Sequence, residues 1–111
     1  MARAARLRKA GEFRAVFHAG KSLANRLGVL YVKRTGADVT RPGFVVGRRA
    51  GKAVQRNRIK RVFREAYRLT ADRVRPGFDL VFVARHASKD AGLMEIMRAV
   101  VDLLERGGAL R

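Results

Sequence analysis

An α+β fold, a small two-layer α/β sandwich, follows from three observations on the sequence. Helical and strand-like periodicities alternate in the order α-β-β-α-β-α, with a strand–helix–strand unit over residues 44–84. The 111 residues match one ordinary domain, because two halves would each bury too little surface to be stable. Residues of the AVILMFWYC class make up 48%, enough apolar material for a core and too much for a wholly disordered chain. No repeat, low-complexity tract or linker divides residues 1–111, so they read as a single domain.

Each element has a local reason. Residues 1–9 form a basic, partly ordered arm. Residues 10–19 read as a short helix, with Phe13, Val16 and Phe17 at i, i+3 and i+4 and Gly20 after its end. Residues 27–33 read as a strand, with Val29, Tyr31 and Lys33 on one face and Leu30 and Val32 on the other. Gly36, Asp38, Pro42 and Gly43 mark residues 34–43 as a loop. A second strand is expected over 44–48 and a helix over 52–70. Pro76 and Gly77 precede the most strand-like run, 78–84. Asp90 is the expected N-cap of a last helix ending near Arg106, before Gly107 and Gly108. Its apolar stripe is Leu93, Ile96, Met97, Val100, Leu103 and Leu104.

Charge narrows the function. The chain holds 26 Lys+Arg against 9 Asp+Glu, a formal net charge of +17. Such a surface repels itself and attracts polyanions. Nucleic acid is the leading partner and an anionic membrane surface the rival. The charge is concentrated: residues 1–34 and residues 48–68 each hold 9 basic and 1 acidic residue, whereas 69–111 hold 7 and 6. The partner is therefore met by the N-terminal segment and the middle helix, and the C-terminal third is scaffold. Without cysteine there is no disulfide and no thiolate metal site. No run approaches a membrane span, and the basic start lacks the apolar stretch of a secretory signal. A cytoplasmic location is expected.

The middle helix is the most informative segment. At about 100° per residue, Val62, Phe63 and Ala66 lie within about 60° of Ile59, with Leu69 at the edge of this buried stripe. Lys60, Arg61, Arg64 and Arg68 fall between about 100° and 200°, with Asn57 among them and Arg56 and Arg58 flanking the stripe. Solvated helix faces usually mix signs, because like charges at i,i+4 repel. Here only Glu65 dilutes the cations, so phosphates are the fitting counter-charge.

The run GKAVQRNRIKRVFREAYR, residues 51–68, resembles the signature of the bacterial ribonuclease P protein subunit, in which an Arg-Asn-Arg run opens a basic helix. Here that run is Arg56-Asn57-Arg58. The resemblance extends to LRKAGEFRAVFHAGKSLANRLGVLYV, residues 7–32, and covers about residues 7–84, while the last helix matches only in pattern. It implies a left-handed βαβ crossover, where physics alone favours the right-handed one. It implies binding to a large catalytic RNA, the ribonuclease P RNA, with which the subunit removes the 5′ leader of precursor tRNA. The RNA would carry the hydrolysis with Mg²⁺ that it mainly holds itself. The protein would supply no catalytic residue and require no protein partner. Lys52, Arg56, Asn57, Arg58, Lys60, Arg61, Arg64 and Arg68 match the surface for the catalytic RNA.

Phe13, Phe17 and Tyr31 are compatible by spacing with plain core packing. Aromatic residues on a sheet face beside cations also make a platform for single-stranded RNA. The resemblance selects the platform: it implies that these three line the leader cleft, with Asn25 and Arg26 at its edge. Phe44, Phe78 and Phe82 are assigned to packing. His18 and His86 lack acids at ligand spacing, the carboxylates form no acid–base pair, and Gly47 and Gly51 are not followed by the Lys-Ser/Thr step of a phosphate loop. No metal site is assigned in the protein. Two other functions compete: a ribosomal or other structural RNA-binding protein without an enzymatic role, and a DNA-binding regulator. The regulator is the weaker, because the basic helix lacks the short partner helix of a helix-turn-helix.

Overall fold

The structure is a computed structural model and describes residues 5–111. The described elements are α1 (Ala10–His18), β1 (Lys21–Ala24), β2 (Gly28–Arg34), β3 (Arg41–Val46), α2 (Ala53–Thr70), β4 (Phe78–Ala84) and α3 (Leu93–Arg106). Their order is α-β-β-β-α-β-α, one strand more than the periodicity indicates. The added strand, β1, is a four-residue edge strand whose only half-buried residue is Leu23. So short and exposed a segment has no alternation to read.

The sheet runs β1-β2-β4-β3. β2 pairs antiparallel with β1 and β4, and β3 pairs parallel with β4. β3, α2 and β4 thus form the strand–helix–strand unit. β3 begins at Arg41 rather than at residue 44, so Pro42 and Gly43 belong to a strand instead of a loop. Pro42 is tolerated because β3 is an edge strand. At Gly43 a side chain is excluded: an added Cβ would stand 2.6 Å from the Phe13 ring.

Register sorts the strand residues onto two faces. Leu30, Val32, Leu80, Phe82 and Phe44 point to one face, where they meet Ile59, Phe63 and Ala66 of α2 and Ile96, Val100, Leu103 and Leu104 of α3. The sheet and this helix pair are the two layers. Fully burying a side chain such as Phe63 contributes roughly 1.5–3 kcal/mol. Tyr31, Val81, Val83 and Val45 point to the other face, where α1 lies with Val16, Phe13 and Leu7. Residues 1–4 of the basic arm lie outside the described residues. Its second half is docked, since Leu7 is buried and its N–H donates to the Pro42 carbonyl at 2.9 Å.

Three local expectations need correction. The α2 stripe is rotated: Leu69 is 47% exposed, whereas Tyr67 is buried edge-on to Phe44 and Phe82, at centroid distances of 6.1 and 5.9 Å. Asp90 does not cap α3. It closes a 3₁₀ turn over His86–Asp90, Ala91 is buried in extended backbone, and Gly92 is the N-cap. Leu93, in the first turn of α3, is consequently exposed rather than part of the stripe.

Candidate nucleic-acid interface

The start of α2 is set by backbone geometry. Gly51 has φ +132°, and a Cβ there would collide with the Gln55 side chain. The Gln55 Oε1 accepts the Lys52 N–H at 3.0 Å, so one free donor of the first turn is satisfied. No acid stands in that first turn. The positive end of the helix dipole is therefore followed by Arg56, Arg58 and Lys60, an arrangement that an anion relieves.

Lys52, Asn57, Arg58, Arg61, Arg64 and Arg68 are exposed, and Arg56 and Lys60 are half-buried. The Arg56 Nε is buried and has no hydrogen-bond partner among the described residues. Arg68 differs from the rest of the ridge. Its Nε donates to Glu65 Oε2 at 3.0 Å and its Nη2 to Oε1, which lowers the Glu65 pKa and raises that of Arg68. Arg68 is thus not free of counter-charge, as its position on the helical wheel suggests. Arg48 and Arg49, which sequence reasoning did not single out, are exposed in a 3₁₀ turn just before α2. Only their closeness in sequence to the ridge marked them.

The opposite face of the sheet carries a second surface. Phe17 and Tyr31 meet edge to face, with ring centroids 4.8 Å apart and planes at 89°. Phe17 is 38% exposed and Tyr31 half-buried. Val29, Val83 and Val45 are paired across β2, β4 and β3 and stay half-buried, so α1 leaves part of this face open. Phe13 sits lower, against Gly43 and Leu7, and packs more than it presents.

An ion cluster braces α1 over the sheet. Asp79 on β4 is 4% exposed and accepts two N–H bonds from Arg41 on β3, Nε to Oδ1 at 3.0 Å and Nη2 to Oδ2 at 2.9 Å. The third arm of Arg41 donates to Glu12 Oε2 on α1 at 2.7 Å. Glu12 Oε1 accepts the N–H groups of Lys9 and Arg8, both at 2.9 Å. Those backbone donors first, and Arg41 next, bring the Glu12 pKa from 4.5 down to about 2.

Asn25 and Arg26 are placed away from the α1 face. Asn25 Nδ2 donates to the Ala99 carbonyl and to Asp102 Oδ2 on α3, both at 3.0 Å, while its Oδ1 accepts the N–H groups of Leu27 and Gly28. The amide therefore builds the β1–β2 turn and ties it to α3. The Asn25 amide, followed by Arg106, holds Asp102 below the usual carboxylate range. Arg26 pairs with Glu95 at 2.7 Å. The contacts to α3 span about 70 residues of sequence or more, and local spacing does not reveal them.

A cationic helix on one side of a sheet and a half-open aromatic face on the other define an RNA-binding α+β protein. The comparisons with known proteins make this specific. The chain belongs to the ribonuclease P protein family, whose model, described as Ribonuclease P, matches residues 1–108. It is 43% identical over 101 residues to the ribonuclease P protein component of Clostridioides difficile (strain 630), covering 90% of this chain and 89% of that one. It superimposes on the RNase P protein of Staphylococcus aureus with a TM-score of 0.87 at 29% identity, covering 98% and 100% of the two chains. For the RNase P protein of Thermotoga maritima the TM-score is 0.83 at 34% identity, covering 91% and 96%. The function is that of a protein subunit in the endoribonuclease ribonucleoprotein that processes tRNA 5′ ends, with the ribonuclease P RNA as its partner. The alternative of a purely structural RNA-binding protein is thereby set aside.

Proposed function

We propose that the two faces of the sheet divide the work between two RNAs. The α2 ridge docks on the catalytic RNA through Lys52, Arg56, Asn57, Arg58, Lys60, Arg61 and Arg64, with Arg68 released from Glu65 on contact. The α1 face receives the single-stranded leader of precursor tRNA, stacking bases on Phe17 and Tyr31 above Phe13. The observation that carries this reading is the Phe17–Tyr31 pair, exposed at Phe17 and half-buried at Tyr31, on the face of the sheet opposite α2. A leader offers unstacked π-faces, and mature tRNA lacks that strand. The Arg41–Asp79–Glu12 cluster sets how far α1 stands from the sheet.

The Mg²⁺ of the reaction is assigned to the RNA subunit. Among the described residues no group of three or more His, Asp or Glu is placed to hold a metal ion, and the reading puts the ion on the RNA. The chain contributes binding, orientation and positive charge, in the cytoplasm and without a protein partner. The test adds the protein to a bacterial ribonuclease P RNA at low Mg²⁺. Restored cleavage is expected, with precursor tRNA bound more tightly than mature tRNA. Equal binding of the two removes the leader assignment.

A further inference from the structure

A third cationic surface lies outside both of these sites. The outer side of β3, the C-terminal half of α2 and the loop before β4 enclose a groove of about 750 Å³. Sites for small ligands span roughly 300–1,000 Å³, so the volume suits one nucleotide and its flanking phosphates. Its floor is apolar: Phe44, Tyr67 and Val74 are buried there, with Pro42 and Pro76 beside them. Its rim is cationic. Arg64 and Arg68 come from α2, Arg75 from the loop before β4, Arg6 and Arg8 from the segment before α1, and Arg111 from the C-terminal segment. The last is held there because the Arg111 N–H donates to the Arg73 carbonyl at 2.8 Å.

Among the described residues, Asp38 is the one acid that lines the groove. Among the described residues, Arg6, Arg8, Arg64, Arg75 and Arg111 form no ion pair with a carboxylate. Five arginines without an ion-pair partner line the groove against one acid, so they repel one another, and a bound polyanion relieves that repulsion. The Tyr67 hydroxyl donates to no described residue, and burial pushes its pKa up to about 12, so it stays a neutral donor.

We infer that this groove is a binding site for an unpaired nucleotide of the catalytic RNA, its base against the Phe44–Tyr67–Val74 floor and its phosphates on the arginine rim. The occupant follows from continuity and charge. Arg64 and Arg68 belong both to the groove and to the α2 ridge, so a strand lying on the ridge enters the groove without leaving the protein. Bases paired in a helix keep their faces stacked and cannot reach such a floor. The inference rests on the reading of α2 as the catalytic-RNA ridge.

The experiment uses the full chain and fluorescein-labelled hexauridylate. Arg75→Ala combined with Arg111→Ala is expected to weaken hexauridylate binding at least about fivefold. The slope of log affinity against log salt should flatten by about 0.7 for each phosphate contact removed, a change that a merely structural role does not produce. Val39→Glu, at an exposed rim position, should weaken binding similarly and covers the case in which the double variant fails to fold. Unchanged affinity and slope in the folded variants overturn the proposal, as does a hexaglutamate peptide binding as tightly as the RNA. The source is read by 4-thiouridine placed in the catalytic RNA or in the tRNA leader of the assembled complex. Cross-links from the catalytic RNA to residues 64–76 support the site, whereas cross-links from the leader alone, or from neither, refute it. Arg61→Ala reports on the ridge separately, because Arg61 does not line the groove. Full affinity of that variant for the catalytic RNA removes the ridge reading, while the groove is judged on hexauridylate and the cross-link.

Discussion

Truncating Phe17 to alanine separates a binding role from a packing role, because the structure assigns the two very different magnitudes. A fully buried phenylalanine costs about 3–5 kcal/mol on removal. Phe17 is 38% exposed and its aromatic contact is the single edge-to-face pair with Tyr31, worth about 0.5–1.5 kcal/mol. The Phe17→Ala protein should therefore stay folded, with Tm lowered by no more than roughly 10 °C for a domain of this size. Its effect on the leader should be larger. One lost base–aromatic stack costs about 1–3 kcal/mol, from about fivefold to more than a hundredfold in affinity. The assay is the affinity of the reconstituted complex for precursor and for mature tRNA, wild type against variant, with folding followed by circular dichroism. The precursor should lose its advantage while mature tRNA binds as before. Equal loss of both substrates refutes the leader platform, and a protein that no longer folds shows that Phe17 is a core residue despite its exposure.

Three further outcomes follow from named contacts. Arg61→Ala and Arg64→Ala should weaken the catalytic-RNA complex with Tm unchanged, since both side chains are exposed, whereas Phe63→Ala should cost about 3–5 kcal/mol of stability in denaturant titration. Glu12 has a folded-state pKa lowered from 4.5 to about 2, so its contribution is complete above about pH 4.5 and is lost as the pH falls toward 2. Glu12→Gln should make the unfolding free energy less pH-dependent in that window and unaffected in slope near neutrality. Asn25→Ala removes four hydrogen bonds at the turn and should destabilise the protein by on the order of 2–3 kcal/mol, while the folded protein keeps its preference for precursor tRNA.

What the sequence reveals of this fold depends on how local the cause is. The run 78–84 is readable as a strand to the residue, because β4 is central and all but one of its residues are buried. α2 is readable for the opposite reason: its apolar and cationic faces are separated by angle along one element, so composition and periodicity agree. β1 is not readable, since a four-residue edge strand needs only backbone pairing from β2 and leaves its side chains unconstrained. Pro42 and Gly43 read as a turn although they lie in β3, because their reasons are non-local: a place at the edge of the sheet and the ring of Phe13. The same division holds for function. The α2 ridge is one segment and shows itself in the sequence. The Asn25 latch and the arginine groove are assembled from distant segments, the groove from residues as far apart as Arg6, Arg64, Arg75 and Arg111, and become visible only when the chain is folded. A basic composition thus announces a nucleic-acid partner, but how the +17 charge divides among the ridge, the α1 face and the groove is decided by topology. The sheet order β1-β2-β4-β3 puts β3 at the edge, and that placement lets the N-terminal segment, the C-terminal segment and α2 converge beside it.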